Sequence, residues 1–205
     1  MFRLAVFISG RGSLLPPLIK ALDAGVIPAK ISCVISDRPG SAGLERAGKA
    51  GLPVMMFDRK EYTPRKSLPD GPVLSDVLLE YVRDKADYIV LAGFLSILEG
   101  AILEEYEGRI LNIHPALLPK HGGRGMYGLR VHQSVIESGD DCSGSTVHFV
   151  TSGVDTGPII VQRKVIVSED ETAETLQKKV HEIEGDTLVE ALRIILEPKC
   201  AGLRR

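Results

Sequence analysis

Nothing in the sequence pairs its cysteines: Cys33, Cys142 and Cys200 are an odd number at unrelated spacings. That argues against a disulfide framework and for the reduced thiols of a cytoplasmic protein. Long hydrophobic runs are also missing. No apolar stretch approaches the ~20 residues that cross a bilayer, and the run in M-F-R-L-A-V-F-I-S-G is too short for a secretory leader. No membrane partner is expected. Charge of either sign is not in excess, since 25 Lys+Arg against 27 Asp+Glu leave −2. There is thus no bulk pull toward nucleic acid, and any anion site must be local. The histidines at 114, 121, 132, 148 and 181 lack H-x-x-x-H spacing and no cysteine pair supplies thiolates, so no metal site is expected. Internal repeats and low-complexity tracts are absent.

What remains is an ordinary globular composition, 44% hydrophobic and 25% charged over 205 residues, which fits one domain spanning 1–205. Apolar runs at Leu4–Ile8, Lys30–Ser36, Val54–Phe57 and Tyr88–Ala92 read as strands. Segments with helical spacing separate them: Leu14–Leu22, with Pro16 and Pro17 in its first turn, Ala42–Ala50 before Gly51, and Val73–Lys85. A polar, proline-rich surface loop is expected over Asp58–Pro72, and a short helix over Ile97–Tyr106. This alternation predicts an open, twisted, mostly parallel sheet with helices on both faces, an α/β fold. Beyond Pro119 the pattern changes. A glycine-rich loop, His121–Gly128, leads to a helix near Val131–Ser138. Strands at Ser145–Thr151 and Pro158–Ser168 then form an antiparallel hairpin around Ser152–Gly157, and Thr172–Leu196 forms a last helix.

Two stretches carry chemistry. The first is Ser9-Gly10-Arg11-Gly12-Ser13, between a strand and a helix, where backbone N–H groups could approach a phosphate. Position 15 is Leu, so the dinucleotide fingerprint is incomplete, and no P-loop lysine follows. The second is R-I-L-N-I-H-P-A-L-L-P-K, Arg109 to Lys120. Asn112 and His114 lie two apart, so an extended backbone sends both side chains from one face. Pro115 keeps His114 out of helical geometry. An amide and an imidazole thus arrive together at a strand's carboxyl end, where open α/β sheets place their ligands.

N-I-H-P-A-L-L-P-K resembles the signature of the folate-dependent formyltransferases, most closely those acting on glycinamide ribonucleotide in purine synthesis. The resemblance covers nearly the whole chain, through I-S-G-R-G-S at 8–13, G-L-E-R-A at 43–47, V-L-A-G-F at 90–94, S-T-V-H-F-V-T at 145–151 and D-T-G-P-I-I at 155–160. It implies a Rossmann-like formyltransferase fold with a nucleotide-binding half at 1–110 and a catalytic and folate-binding half at 111–205. The implied substrates are glycinamide ribonucleotide and 10-formyltetrahydrofolate, and the implied state is a monomer or homodimer. By the same resemblance Asn112, His114 and Asp155 are catalytic. Arg11, Gly12, Ser13, Leu14 and Glu184 would hold the ribonucleotide, and Leu95, Ser96, Ile97, Leu98 and Val150 the folate.

The chain departs from the family pattern at Leu14, where Asn is usual, and at Ser96, where some relatives carry Arg. His148 could line the site or be a buried strand histidine, and His181 shares a helical face with Glu184. The loop with Arg124 and Arg130 could be a flap meeting an anionic substrate. Rival readings are a 10-formyltetrahydrofolate hydrolase, which usually reads N-I-H-H-S, and a non-catalytic folate- or nucleotide-binding protein. A tRNA formyltransferase would carry a further RNA-binding domain.

Overall fold

The computed structural model describes residues 1–62 and 73–197. Thirteen elements follow in order among them: β1 (Phe2–Ile8), α1 (Leu15–Asp23), β2 (Ala29–Ser36), α2 (Ala42–Lys49), β3 (Val54–Met56), α3 (Leu74–Val82), β4 (Tyr88–Leu91), α4 (Ala101–Glu105), β5 (Ile110–His114), α5 (Leu129–Glu137), β6 (Cys142–Phe149), β7 (Ile159–Ile166) and α6 (Ala173–Leu196). The strands form one sheet in the order β3-β2-β1-β4-β5-β6-β7. Pairing is parallel from β3 through β5 and antiparallel at β5–β6 and β6–β7. The expected α/β sheet with its antiparallel hairpin is therefore present.

The continuous apolar run of β1 is what a strand covered on both faces requires. Leu4, Val6 and Ile8 pack with Leu15 and Leu18 of α1 and Leu188 and Leu192 of α6. Ala5 and Phe7 face the other way, onto Leu78 and Val82 of α3 and Ile102 of α4. A smaller cluster of Val135, Leu176 and Val180 joins α5 to α6. Pro16 and Pro17 open α1, and Thr172 caps α6 by accepting from the Thr175 amide.

One helix differs from expectation. Residues 97–100 are not helical, and α4 starts only at Ala101 because Gly100 sits at φ +70°, ψ −146°, outside helical space. Of the Asp58–Pro72 loop, residues 63–72 lie outside the described residues, as does Cys200.

Strand order reverses between β1 and β4, the switch point at which open sheets leave a crevice beyond their carboxyl ends. Three segments meet there: Ser9–Leu14 after β1, Ala92–Leu98 after β4 and Asn112–Pro115 at the end of β5.

Candidate active site

These segments line a cleft of about 580 Å³ that is closed by Gly123–Gly128, Val150–Asp155 and the inner face of α6. The Ser9 hydroxyl accepts from the Leu95 amide at 2.7 Å, tying the turn after β1 to the segment after β4. Gly12 (φ +60°) comes so close to Gly43 that a Cβ on it would stand 2.7 Å from the Gly43 Cα. The G-x-G spacing thus lets α2 approach this turn.

Asn112, His114 and Asp155 converge, although Asp155 comes from a separate loop. His114 Nδ1 is 3.6 Å from Asp155 Oδ2. The Asn112 Nδ2 amine donates to Asp155 Oδ1 at 3.3 Å and reaches His148 Nε2 at 3.1 Å. The Gly123 amide donates to Asp155 Oδ2 at 2.9 Å. His148 pairs with Asn112 across β5–β6, donates from Nδ1 to the Phe149 carbonyl at 2.9 Å, and holds Nε2 3.5 Å from Asp155 Oδ1. It is at once a buried strand histidine and a member of the site.

The His114 Nε2–H donates to the carbonyl of His121 at 2.8 Å. A neutral His114 therefore carries its lone pair on Nδ1, the nitrogen facing Asp155. Burial pushes His114 below the ordinary imidazole value, and the Asp155 charge and His121 carbonyl do not offset it. A nearby carboxylate by itself favours the imidazolium; here burial outweighs that effect. Burial also acts to raise Asp155. The neighbouring His148 and His114 imidazoles and the Gly123 amide outweigh it, leaving the carboxyl below its usual range. Among the described residues, His121 (φ +56°) and Asp155 (φ +57°) are the non-glycine residues with left-handed backbone. Such strain collects at functional sites.

Arg11, Ser13, Leu14 and Glu184 line the cleft, as do Leu95, Ser96, Ile97, Leu98 and Val150. Gly12 lies behind the lining, against Gly43. The Ser96 hydroxyl donates to Asp37 Oδ2 at 2.6 Å and is thereby committed to a buried carboxylate. Glu184 Oε2 accepts from His181 Nδ1 at 2.7 Å, an interaction that raises the His181 pKa. Of the arginines in the glycine-rich loop region, Arg124 lines the cleft, whereas Arg130 lies over the Tyr127 ring.

Sequence reasoning did not assign Arg38, Gln177 or His132 to the site, and all three line it. Arg38 follows β2, and its place just beyond a parallel strand's carboxyl end was a usable signal. His132 is buried with Nδ1 unpartnered, and burial, with His114 close by, pushes it down to about 4. Among the described residues no three His, Cys, Asp or Glu side chains group as metal ligands would, and no helix is long and apolar enough to cross a membrane.

Comparison with known proteins matches residues 2–192 to the formyl transferase family. The phosphoribosylglycinamide formyltransferase of Haemophilus influenzae is 40% identical over 185 residues, 90% of this chain and 82% of that protein. The chloroplastic phosphoribosylglycinamide formyltransferase of Arabidopsis thaliana is 36% identical over 96% of this chain, which spans 66% of that protein's length. Glycinamide ribonucleotide transformylase 1 from Symbiobacterium toebii superposes with a TM-score of 0.86 at 37% identity, covering 96% of this chain and 88% of that one. A site built at the switch point around an amide, an imidazole and a carboxylate, together with this likeness over nearly its full length, means that the chain belongs to the formyl transferase family.

Proposed function

We propose that this chain transfers the formyl group of 10-formyltetrahydrofolate to the amine of glycinamide ribonucleotide, with Asn112, His114 and Asp155 as its catalytic residues. The observation that carries the reading is the convergence of those three groups on the floor of one cleft. The amine attacks the formyl carbon and forms a tetrahedral oxyanion. His114 Nδ1, neutral and uncommitted, takes the proton released by the amine, and Asp155 supports the imidazolium that results. The same proton then passes to the departing folate nitrogen as the carbon–nitrogen bond breaks. Asn112 donates to the oxyanion by exchanging the longer of its two bonds, the 3.3 Å contact with Asp155. The amide on His148 at 3.1 Å stays in place.

In this reading Ser9–Leu14 belongs to the nucleotide half (1–110) and receives the phosphate through backbone N–H groups. Those survive the presence of Leu14, whose side chain is buried. Glu184 and His181 take the ribose, and Leu95–Leu98 with Val150 form the folate wall. The Ser96 hydroxyl is committed to Asp37, so the wall contributes backbone and apolar contacts there. The unpaired thiols of Cys33 and Cys142 suit a cytoplasmic setting. The test is incubation with formyl folate, with and without the ribonucleotide. Ribonucleotide-dependent release of tetrahydrofolate supports the transferase. Release without it supports a hydrolase, and no release supports a binding protein.

A further inference from the structure

A residue outside the catalytic trio holds one of the two His114 ring nitrogens. His114 Nε2 is committed to the carbonyl of His121, 2.8 Å away. That carbonyl is aimed by a backbone at φ +56°, a conformation few side chains adopt without help. The help is visible in the His121 side chain, whose side-chain surface is 8% exposed. Its Nε2–H donates to Asp140 Oδ2 at 2.9 Å, and its Nδ1 meets the Ser134 hydroxyl of α5 at 2.8 Å. In the neutral form one nitrogen donates and the other accepts, so both are satisfied. Asp140 is itself held by Lys120 Nζ at 2.8 Å on its other oxygen. The charged groups facing His121 are therefore Asp140 directly and Lys120 through it.

We propose that His121, clamped by Asp140 and Ser134, is a positioning residue that fixes the tautomer of His114, leaving Nδ1 as the atom that takes and returns the substrate proton. The clamp rests on the catalytic reading of His114 given above. It acts through the main chain: the side chain holds the turn, the turn holds the carbonyl, and the carbonyl holds the Nε2 proton. Without it the imidazole can place its proton on Nδ1, where it faces Asp155 and the nitrogen is no longer a base toward the amine.

The test combines kinetics with nitrogen-15 spectra of labelled histidine. His121→Asn keeps a residue tolerant of positive φ but loses the clamp. Asp140→Ala removes the acceptor, whereas Asp140→Asn keeps an oxygen that can still accept from His121. In the unaltered protein His114 is expected as the single Nε2–H tautomer. In His121→Asn and Asp140→Ala it becomes a mixture, and kcat falls about ten- to a hundredfold, the scale found for partners that orient metal-bound imidazoles. Both KM values stay within about twofold, and Asp140→Asn recovers most of the loss. An unchanged His114 tautomer in folded His121→Asn and Asp140→Ala proteins overturns the clamp. A mixed tautomer with unaltered kcat leaves the clamp standing and overturns the catalytic reading of His114 instead. If His121→Asn does not fold, the contrast between the two Asp140 variants decides the matter alone.

Discussion

His114 and Asp155 face each other across 3.6 Å, Nδ1 to Oδ2, with both side chains almost wholly buried. The gap is wider than a tight ion pair and suits a proton that arrives and leaves during turnover. Replacing Asp155 by Asn is expected to lower kcat at least a hundredfold, about 2.7 kcal/mol of barrier. Asn tolerates the left-handed backbone at 155, so the fold should survive. Asn112→Ala and His114→Ala should lose as much. Steady-state kinetics on variants with unaltered circular dichroism checks all three, and near-normal turnover by a folded His114→Ala protein would refute the assignment.

The pH profile follows from the same pair. Burial lowers the His114 pKa, so the neutral base already predominates at pH 7. The rate should rise with pH along an acid limb lying below the ordinary imidazole value of ~6.5 and stay flat above it. Asp155 raises that pKa, so Asp155→Asn should move the limb to still lower pH while lowering the plateau. A limb that moved upward in the variant would contradict this electrostatic balance.

His132 provides a stability test independent of catalysis. Its pKa is near 4 in the folded chain and ~6.5 when unfolded, so the unfolded state binds the proton first as pH falls. Stability present above pH ~6.5 is therefore lost through the window down to about 4, and roughly 2 kcal/mol should go between pH 7 and 5. Urea denaturation at the two values measures it. His132→Gln, which cannot titrate, should flatten that part of the slope.

At Gly12 the expected outcome is structural as well as functional. Gly12→Ala must adopt φ +60° and push on the Gly43 backbone. The cost should be about 2 kcal/mol or more from the backbone conformation and crowding together. Thermal unfolding reads the loss, and a higher ribonucleotide KM should accompany it as the turn shifts.

Glu184 separates the two substrates. Glu184→Gln should raise KM for the ribonucleotide about tenfold, the scale of one hydrogen bond to a charged group, with KM for formyl folate unchanged. It should also bring the His181 pKa down, because Glu184 is the main cause of its rise. Titration of the His181 ring resonances follows the second effect.

Much of the scaffold could be read from local pattern. The run at Leu4–Ile8 is buried on both faces, and the prolines and Thr172 mark helix starts that local chemistry dictates. The late start of α4 was not legible, because it depends on the backbone that Gly100 adopts. Within the site, Asn112 and His114 are set by strand periodicity, whereas the partners of Ser96 and His121 are set by distant segments. Asp37 lies 59 positions from Ser96, and Asp140 lies 19 from His121. The protonation of His114 escaped for a similar reason. A carboxylate can be guessed from D-T-G-P, but the burial that outweighs it is a property of the packed sheet.

The bond from the Leu95 amide to the Ser9 hydroxyl has a consequence for how the cleft fills. It fastens the two rims of the crevice to one another, so neither rim can shift without pulling on the other. If a ligand on one rim displaces this bond, the fit on the other rim changes with it, and thermodynamic reciprocity then makes the influence equal in both directions.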